Sequence, residues 1–271
     1  MLRDITIGQY YQSNSIIHKL DPRVKLFGTM IFIISIFLGR NIWLYLMATI
    51  FLASVIKISK VPFIYMIKGL KAILFLLIFS AVFNIFLTPG EPIVTIWKIK
   101  ITMEGLVLAG FMIVRLMYLI IGSSIMTLTT TPNNLTDGLE KSLGFLNHIK
   151  IPVHEIAMMM SIALRFIPIL IEETDKIMKA QSARGADFET GGLMKRAKAM
   201  IPVLVPLFVS AFRRANDLAM AMEARCYHGG EGRTKMKPLK YNKADISAYG
   251  ILIGYLVIMI IASVYLGGSS I

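Results

Sequence analysis

Lys179-Ala-Gln-Ser-Ala-Arg-Gly185 closes a long apolar segment that turns polar in its last turns, and Ala221-Met-Glu-Ala-Arg-Cys226 closes a second one some forty residues later. Both finish on Ala-Arg followed by a small residue, so each reads as the end of a long helix that presents one arginine. Gly185 suits the left-handed position just past a helix C-terminus, and an arginine in the last turn complements the negative end of the helix dipole. Capping chemistry accounts for Arg184 alone. It does not explain why Ala precedes Arg twice, at the ends of two comparable segments. The doubled motif points to a paired docking device.

Composition frames these helices. A chain of 271 residues with 56% hydrophobic residues and a mean hydropathy of +0.68 is too apolar for a soluble domain of this size. It reads as a polytopic membrane protein. The single cysteine, Cys226, rules out an intramolecular disulfide. Residues 1–17 lack the charged start, apolar run and cleavage site of a signal peptide, so the first membrane segment is expected to be retained. The net charge of +13 is unevenly placed. Lys57, Lys60, Lys68 and Lys71 crowd one connection, and Arg3, Lys19, Arg23 and Lys25 outweigh Asp4 and Asp21 at the start. Lys98 and Lys100 balance Glu91 and Glu104 in the connection 89–104. Basic connections face the cytoplasm, so the N-terminus is expected inside and the C-terminus outside the plasma membrane of a prokaryote.

Asp21-Pro22 is a helix start, with Asp as N-cap and Pro at the first helical position. The apolar runs 26–38 and 42–56, broken at Arg40-Asn41, are each shorter than the roughly 20 residues a span needs. Either a tight hairpin of two short spans or one re-entrant segment fits them. Residues 69–87 then cross outward and stop at Thr88-Pro89-Gly90, and 105–127 cross back with Arg115 embedded. A buried arginine costs several kcal/mol unless paired or hydrated, so Arg115 is expected to face protein or a polar cavity, as a structural pair or at a partner's interface.

After Thr131-Pro132, Leu135, Leu139, Leu143 and Leu146 recur at helical spacing among charges and predict a short amphipathic helix at the cytoplasmic face. Pro152 opens the first long helix, interrupted by Pro168; Glu172 with Lys176 and Asp175 with Lys179 support it as acid-first i,i+4 pairs. Gly191-Gly192 separates it from a second long helix, about 193–225, with Pro202 and Pro206 inside. Ala211, Ala215 and Ala219 form a small-residue stripe there, matched by Ala157 and Ser161 on the first, and the two helices are expected to cross through these faces and diverge towards their Ala-Arg ends. The run Met158-Met159-Met160, with Met178, Met194, Met200, Met220 and Met222, offers either a soft binding face or ordinary apolar filling. The basic tail 233–243 anchors the last span, 246–266.

The expected fold is therefore all-α: about five transmembrane helices and a cytoplasmic domain of two long crossed helices plus a short amphipathic one. The divisions fall at 1–130, 131–245 and 246–271. No Gly-x-x-x-x-Gly-Lys-Ser/Thr loop occurs, so no ATPase site of its own is expected. His18, His148, His154 and His228 are scattered, and Cys226 with His228 falls short of a metal's ligand set. No hydrolase or metalloprotease motif appears, and basic residues are not interleaved with aromatics as a nucleic-acid surface requires. Anionic membrane lipid accounts for the basic tail.

Ser15-Ile-Ile-His-Lys-Leu-Asp-Pro-Arg-Val-Lys-Leu26, Thr131-Pro132 with its leucine-rich helix, Arg165-Phe-Ile-Pro168 and the two Ala-Arg motifs, taken in this order, resemble the transmembrane T component of energy-coupling factor (ECF) transporters, the EcfT/CbiQ family. The resemblance implies a scaffold that joins two cytoplasmic ABC-type ATPases to a substrate-binding S component for uptake of a vitamin or other micronutrient. By that likeness Ala183, Arg184 and Gly185, and Ala224, Arg225 and Cys226, each dock one ATPase, while Ala157, Met158, Ser161, Ala211, Ala215 and Ala219 form the crossing face towards the S component. The ATPases would hold ATP and Mg; this chain would hold no cofactor or metal. Cys226 departs from the glycine usual in the second motif, which puts its equivalence to the first in question. The alternative, a self-sufficient secondary transporter, asks for polar groups meeting at mid-membrane and repeated halves, and Arg115 stands alone.

Overall fold

The computed structural model describes residues 10–39, 41–89, 92–96, 99–188, 192–230, 236 and 238–266. Arg3, Asp4, Arg40, Gly90, Glu91, Lys98, Gly191 and residues 233–235 and 237 of the basic tail lie outside the described residues. The chain forms two compact units, one from Gly8–Gly138 with Leu239–Ile271 and one containing Leu139–Pro238.

The first unit holds α1 (Ile16–Lys19), α2 (Pro22–Ile36), α3 (Ile42–Ser59), α4 (Phe63–Leu87), α5 (Met103–Thr129), the larger part of α6 (Pro132–Ser142) and α9 (Lys243–Leu266). Capping chemistry sets their starts. The Asp21 carboxylate accepts from the Arg23 N–H ahead of Pro22, Asn41 accepts from the Trp43 N–H, and the Thr102 hydroxyl accepts from the Gly105 N–H. Residues 26–56 thus hold two helices, α2 and α3, separated between Ile36 and Ile42, rather than one re-entrant segment. The lysine-rich connection is shorter than expected: Lys57 belongs to the last turn of α3, Lys68 and Lys71 lie inside α4, and Lys60 occupies a left-handed turn between them. Lysine is a good helix former, so it did not end these helices.

The neutral connection folds into a hairpin, β1 (Pro92–Ile96) antiparallel to β2 (Ile99–Thr102), with Val94 opposite Ile101 and Ile96 opposite Ile99. These strands are the only β structure among the described residues. By length and composition α3, α5, the second unit's α7 (Val153–Ala183) and α9 are long and apolar enough to cross a membrane, and α4 is 25 residues long. The fold is that of an all-α polytopic membrane protein.

Its core gathers Phe32 and Ile36 of α2, Leu44, Ala48 and Leu52 of α3, and Ile121, Ile125 and Met259 of α5 and α9. Tyr255 of α9 stacks on Phe51 at 4.1 Å and shares a 2.8 Å hydrogen bond with Ser35. Asp245, at 1% exposure, accepts from the Asp21 N–H at 2.8 Å and from the Asn242 N–H at 2.7 Å, so the first turn of α9 grips the start of α2. The Lys25 ammonium donates to the carbonyls of His18 and Thr129. The Ser15–Leu26 motif is therefore a knot that ties α1, α2, α5 and α9. Burial would push the Asp21 carboxyl up, but the Arg23 hydrogen bonds and charge outweigh it and hold the group below the ordinary range.

Arg115 is half-buried. Its Nε donates to the Tyr45 hydroxyl at 3.0 Å and its guanidinium lies 5.1 Å from the centre of the Phe37 ring. The partners are a phenol and an aromatic face, not the acid of an ion pair.

Candidate functional site

The second unit is built on α7 and α8 (Leu193–Glu223), each of 31 residues, preceded by a 3-10 helix at Gly144–Ile149. The amphipathic helix α6 ends at Ser142, so Leu143 and Leu146 fall outside it; Gly144, a poor helix former, follows the break. Pro168, Pro202 and Pro206 are accommodated within their helices.

α7 and α8 run antiparallel side by side. Ile162, Phe166 and Leu170 of α7 face Ala211, Ala215 and Ala219 of α8 across a groove of about 260 Å³. One turn on, the Glu173 carboxylate accepts from the Ser210 hydroxyl and from Nη2 of Arg214, the latter at 2.9 Å. Ser210 first, then Arg214, holds the Glu173 carboxyl below its ordinary range. The alanine stripe on α8 lines this groove. Its facing row on α7 is larger than the alanine and serine expected, and Ala157, buried, with Met158 and Ser161, both half-buried, lies on the turns before it.

Further along, Gln181 Nε2 donates to the Pro202 carbonyl at 3.4 Å. Proline at 206 has no N–H to give the carbonyl four residues back, so Pro202 is left with a free acceptor inside a helix. Gln181 supplies the missing donor from the neighbouring helix. The antiparallel course places the two Ala-Arg ends at opposite ends of the pair: aligning Glu173 with Ser210 brings Arg225 level with Met158, roughly 40 Å from Arg184 at 1.5 Å per residue.

The two ends are closed in the same way. At the first, the Gly185 N–H donates to the Ser182 carbonyl and the Ala186 N–H to the Gln181 carbonyl, both at 3.0 Å, with Gly185 at φ 89°. At the second, the Cys226 N–H donates to Glu223 at 2.9 Å and the Tyr227 N–H to Met222 at 3.1 Å, with Cys226 at φ 55°. This is the paired 6→1 and 5→2 pattern of a Schellman cap. Cysteine in place of glycine leaves the geometry intact, so the two motifs are equivalent in their backbone. Ala183 and Ala224 flank the arginines on exposed surface, and Arg184 and Arg225 are themselves exposed, with no partner for either guanidinium among the described residues. An arginine forks bidentately onto carboxylates or carbonyls, so each end is a free, oriented attachment point.

Behind the second cap, Gly230 lies against the His154 ring, leaving no room for a Cβ beside Cδ2, and His154 Nδ1 is 3.0 Å from Glu140. The loop after Arg225 is thereby pressed onto the first turn of α7.

Some of the site carried no recognised signal in the sequence. Gln181 was legible only through Pro206, whose missing N–H predicts an acceptor in need of a donor. Phe208 and Phe212, at 61% and 68% exposure, extend an apolar face with Ile201, Leu204 and Val205 that the methionines alone did not announce. Met159, Met160, Met194 and Met220 are likewise exposed, while Met178, Met200 and Met222 are half-buried.

Residues 13–236 match the family described as CbiQ, cobalt transport protein. The chain is 54% identical over 256 residues to the energy-coupling factor transporter transmembrane protein EcfT of Ruminiclostridium cellulolyticum, covering 94% of this chain and 96% of that protein. It is 55% identical over 250 residues to the EcfT of Clostridium kluyveri, covering 92% and 93%, and 48% identical over 254 residues to that of Bacillus subtilis, covering 93% and 96%.

Proposed function

The chain belongs to the CbiQ family, cobalt transport proteins, and from that premise we propose that it is the coupling scaffold of an energy-coupling factor importer, joining two cytoplasmic ABC-type ATPases to a membrane S component. The observation that carries this reading is the repetition of one cap at the ends of two antiparallel helices, each presenting an exposed arginine with no partner among the described residues. One cap would be local chemistry. Two of them, roughly 40 Å apart, suit a pair of like subunits.

In this reading α2, α3, α4, α5 and α9 cross the plasma membrane, with the N-terminus in the cytoplasm and the C-terminus outside. α7 and α8 lie at the cytoplasmic face. Although α7 is apolar enough to span, its second half carries Glu172, Glu173, Asp175, Lys176 and Lys179, which are costly in the hydrocarbon core and favour a place outside it. The ATPases hold ATP and Mg, and closing on ATP draws the two arginines towards each other. α7 then turns against α8 over the alanine-lined groove, and the exposed Met and Phe face takes hold of or releases the S component, which brings in a vitamin or another micronutrient. Arg115, held by Tyr45 and Phe37, is a single intramembrane charge, short of the meeting polar groups that a self-sufficient transport path needs.

The movement is tested by fixing it. With Cys226→Gly as background, short bismaleimide bridges between Ile162→Cys and Leu218→Cys and between Gln181→Cys and Pro202→Cys are expected to stop ATP-driven uptake by the reconstituted complex while leaving it assembled. Uptake at the uncrosslinked rate would sink the proposal that α7 moves against α8.

A further inference from the structure

The membrane unit contains a cleft of about 260 Å³ among α1, α2, α3, α5 and α9. It reaches from Lys25 to Phe32 on α2, from Ile58 to Phe51 on α3 and from Thr129 to Gly122 on α5, seven residues and about 10 Å along each helix. Its walls are apolar, and Ile16, Ile58 and Ile251 on its lining are 65%, 47% and 64% exposed, so it is open at the side rather than sealed. In a membrane protein such a side opening admits acyl chains, and filling it costs no desolvation.

One end of the cleft is different. Among the described residues Lys25 is the only charged one on the lining, and its ammonium, with three protons, donates to two carbonyls, His18 at 3.1 Å and Thr129 at 2.9 Å. One donor remains. The same end of the bundle carries the exposed Lys19, Lys57, Lys60 and Lys243, at the ends of α1 and α3 and the start of α9. Asp21 is engaged by Arg23 and Asp245 by backbone N–H groups. An apolar slot one short chain segment deep, ending at a spare ammonium proton within a basic rim, matches a lipid with a negative headgroup.

We propose that this cleft binds one anionic phospholipid, with an acyl chain along Phe32, Leu52 and Ile125 and the phosphate accepting from Lys25. The site goes beyond the coupling reading and does not depend on it. Ala248 and Ser247 of α9 line the cleft beside Lys25, so a bulky side chain at either position fills it.

The test is native mass spectrometry of the purified, delipidated full chain in detergent, offered phosphatidylglycerol or phosphatidylcholine with identical acyl chains. The wild type is expected to retain one phosphatidylglycerol with about fivefold preference, the size of one lysine–phosphate contact near a membrane surface. Lys25→Gln, which keeps a donor but no charge, is expected to bring the two lipids level. Ala248→Phe and Ser247→Phe are expected to lose both lipids while melting within a few degrees of wild type; if one does not fold, the other decides. Equal retention of the two lipids by the wild type, no retention, or undiminished retention in a folded cleft-filling variant would each overturn the proposal.

Discussion

Gly185 and Cys226 occupy the same backbone position: each is the left-handed residue that closes its helix, and each follows the arginine its helix presents. The hydrogen bonds that define the two caps correspond one for one: the left-handed residue and its successor donate to the carbonyls three and four residues before the left-handed position. Four donors held in place by two helix ends thus fix two arginines in equivalent attitudes at opposite ends of an antiparallel pair. Cysteine pays a conformational cost at φ 55° that glycine does not, and the cap forms regardless.

That cost is measurable. Cys226→Gly is expected to stabilise the protein by about 1 kcal/mol, and Gly185→Ala to destabilise it by about the same amount. For a chain of this size each shift corresponds to about 2–4 °C in thermal melting. Equal and negligible shifts at both positions would show that neither residue is held left-handed.

Gln181 and Pro206 form a compensating pair. Gln181→Leu strands the Pro202 carbonyl and is expected to cost about 1 kcal/mol. Pro206→Ala restores the intrahelical donor, so the loss from Gln181→Leu is expected to shrink in that background, a coupling of at least about 0.5 kcal/mol in a double-mutant cycle. Additive effects would mean that Gln181 does not serve that carbonyl.

Acid should loosen both units. The folded-state carboxyls of Asp21 and Glu173 sit below their ordinary values, so their contributions are in place above the unfolded pKa and are lost as pH falls through the depressed one. The window lies below about pH 4. Glu173→Gln is expected to flatten the acid limb of the melting curve, and high salt to weaken the half-buried Glu173–Arg214 pair, worth at most about 1 kcal/mol, at neutral pH. An unchanged acid limb would contradict the assignment.

Asp245 is expected to matter more. Asp245→Ala removes a buried acceptor from two backbone N–H groups and is expected to cost about 3 kcal/mol, with loss of protection at the start of both α2 and α9 in hydrogen exchange. Protection lost in α9 alone would show that Asp245 does not hold the two starts together.

Local chemistry was legible in the sequence wherever a few neighbouring residues decide the outcome. Asp21-Pro22 starts α2, Thr88 ends α4, and both Ala-Arg motifs end their helices within two residues of expectation. What depends on distant partners was not. Asp245 gives no hint that it caps a segment 224 residues away, because only the tertiary fold brings the Asp21 N–H to it. The row on α7 that meets the alanine stripe follows from the antiparallel register, which Glu173 and Ser210 set, and no spacing within α7 reveals it. The hairpin at 92–102 was missed because its strands are shorter than an alternating pattern needs to stand out. Cys226 was doubted on intrinsic preference, and the two cap hydrogen bonds outweighed that preference.

The most direct test of the central claim is co-purification of the tagged chain with its ATPase subunits, comparing wild type with Arg184→Glu, Arg225→Glu and the double variant. Two equivalent attachment points require each single change to weaken capture to a similar degree and the double change to abolish it, with the protein still folded in the membrane. Capture that survives the double change would reduce both arginines to helix-capping chemistry and contradict the account.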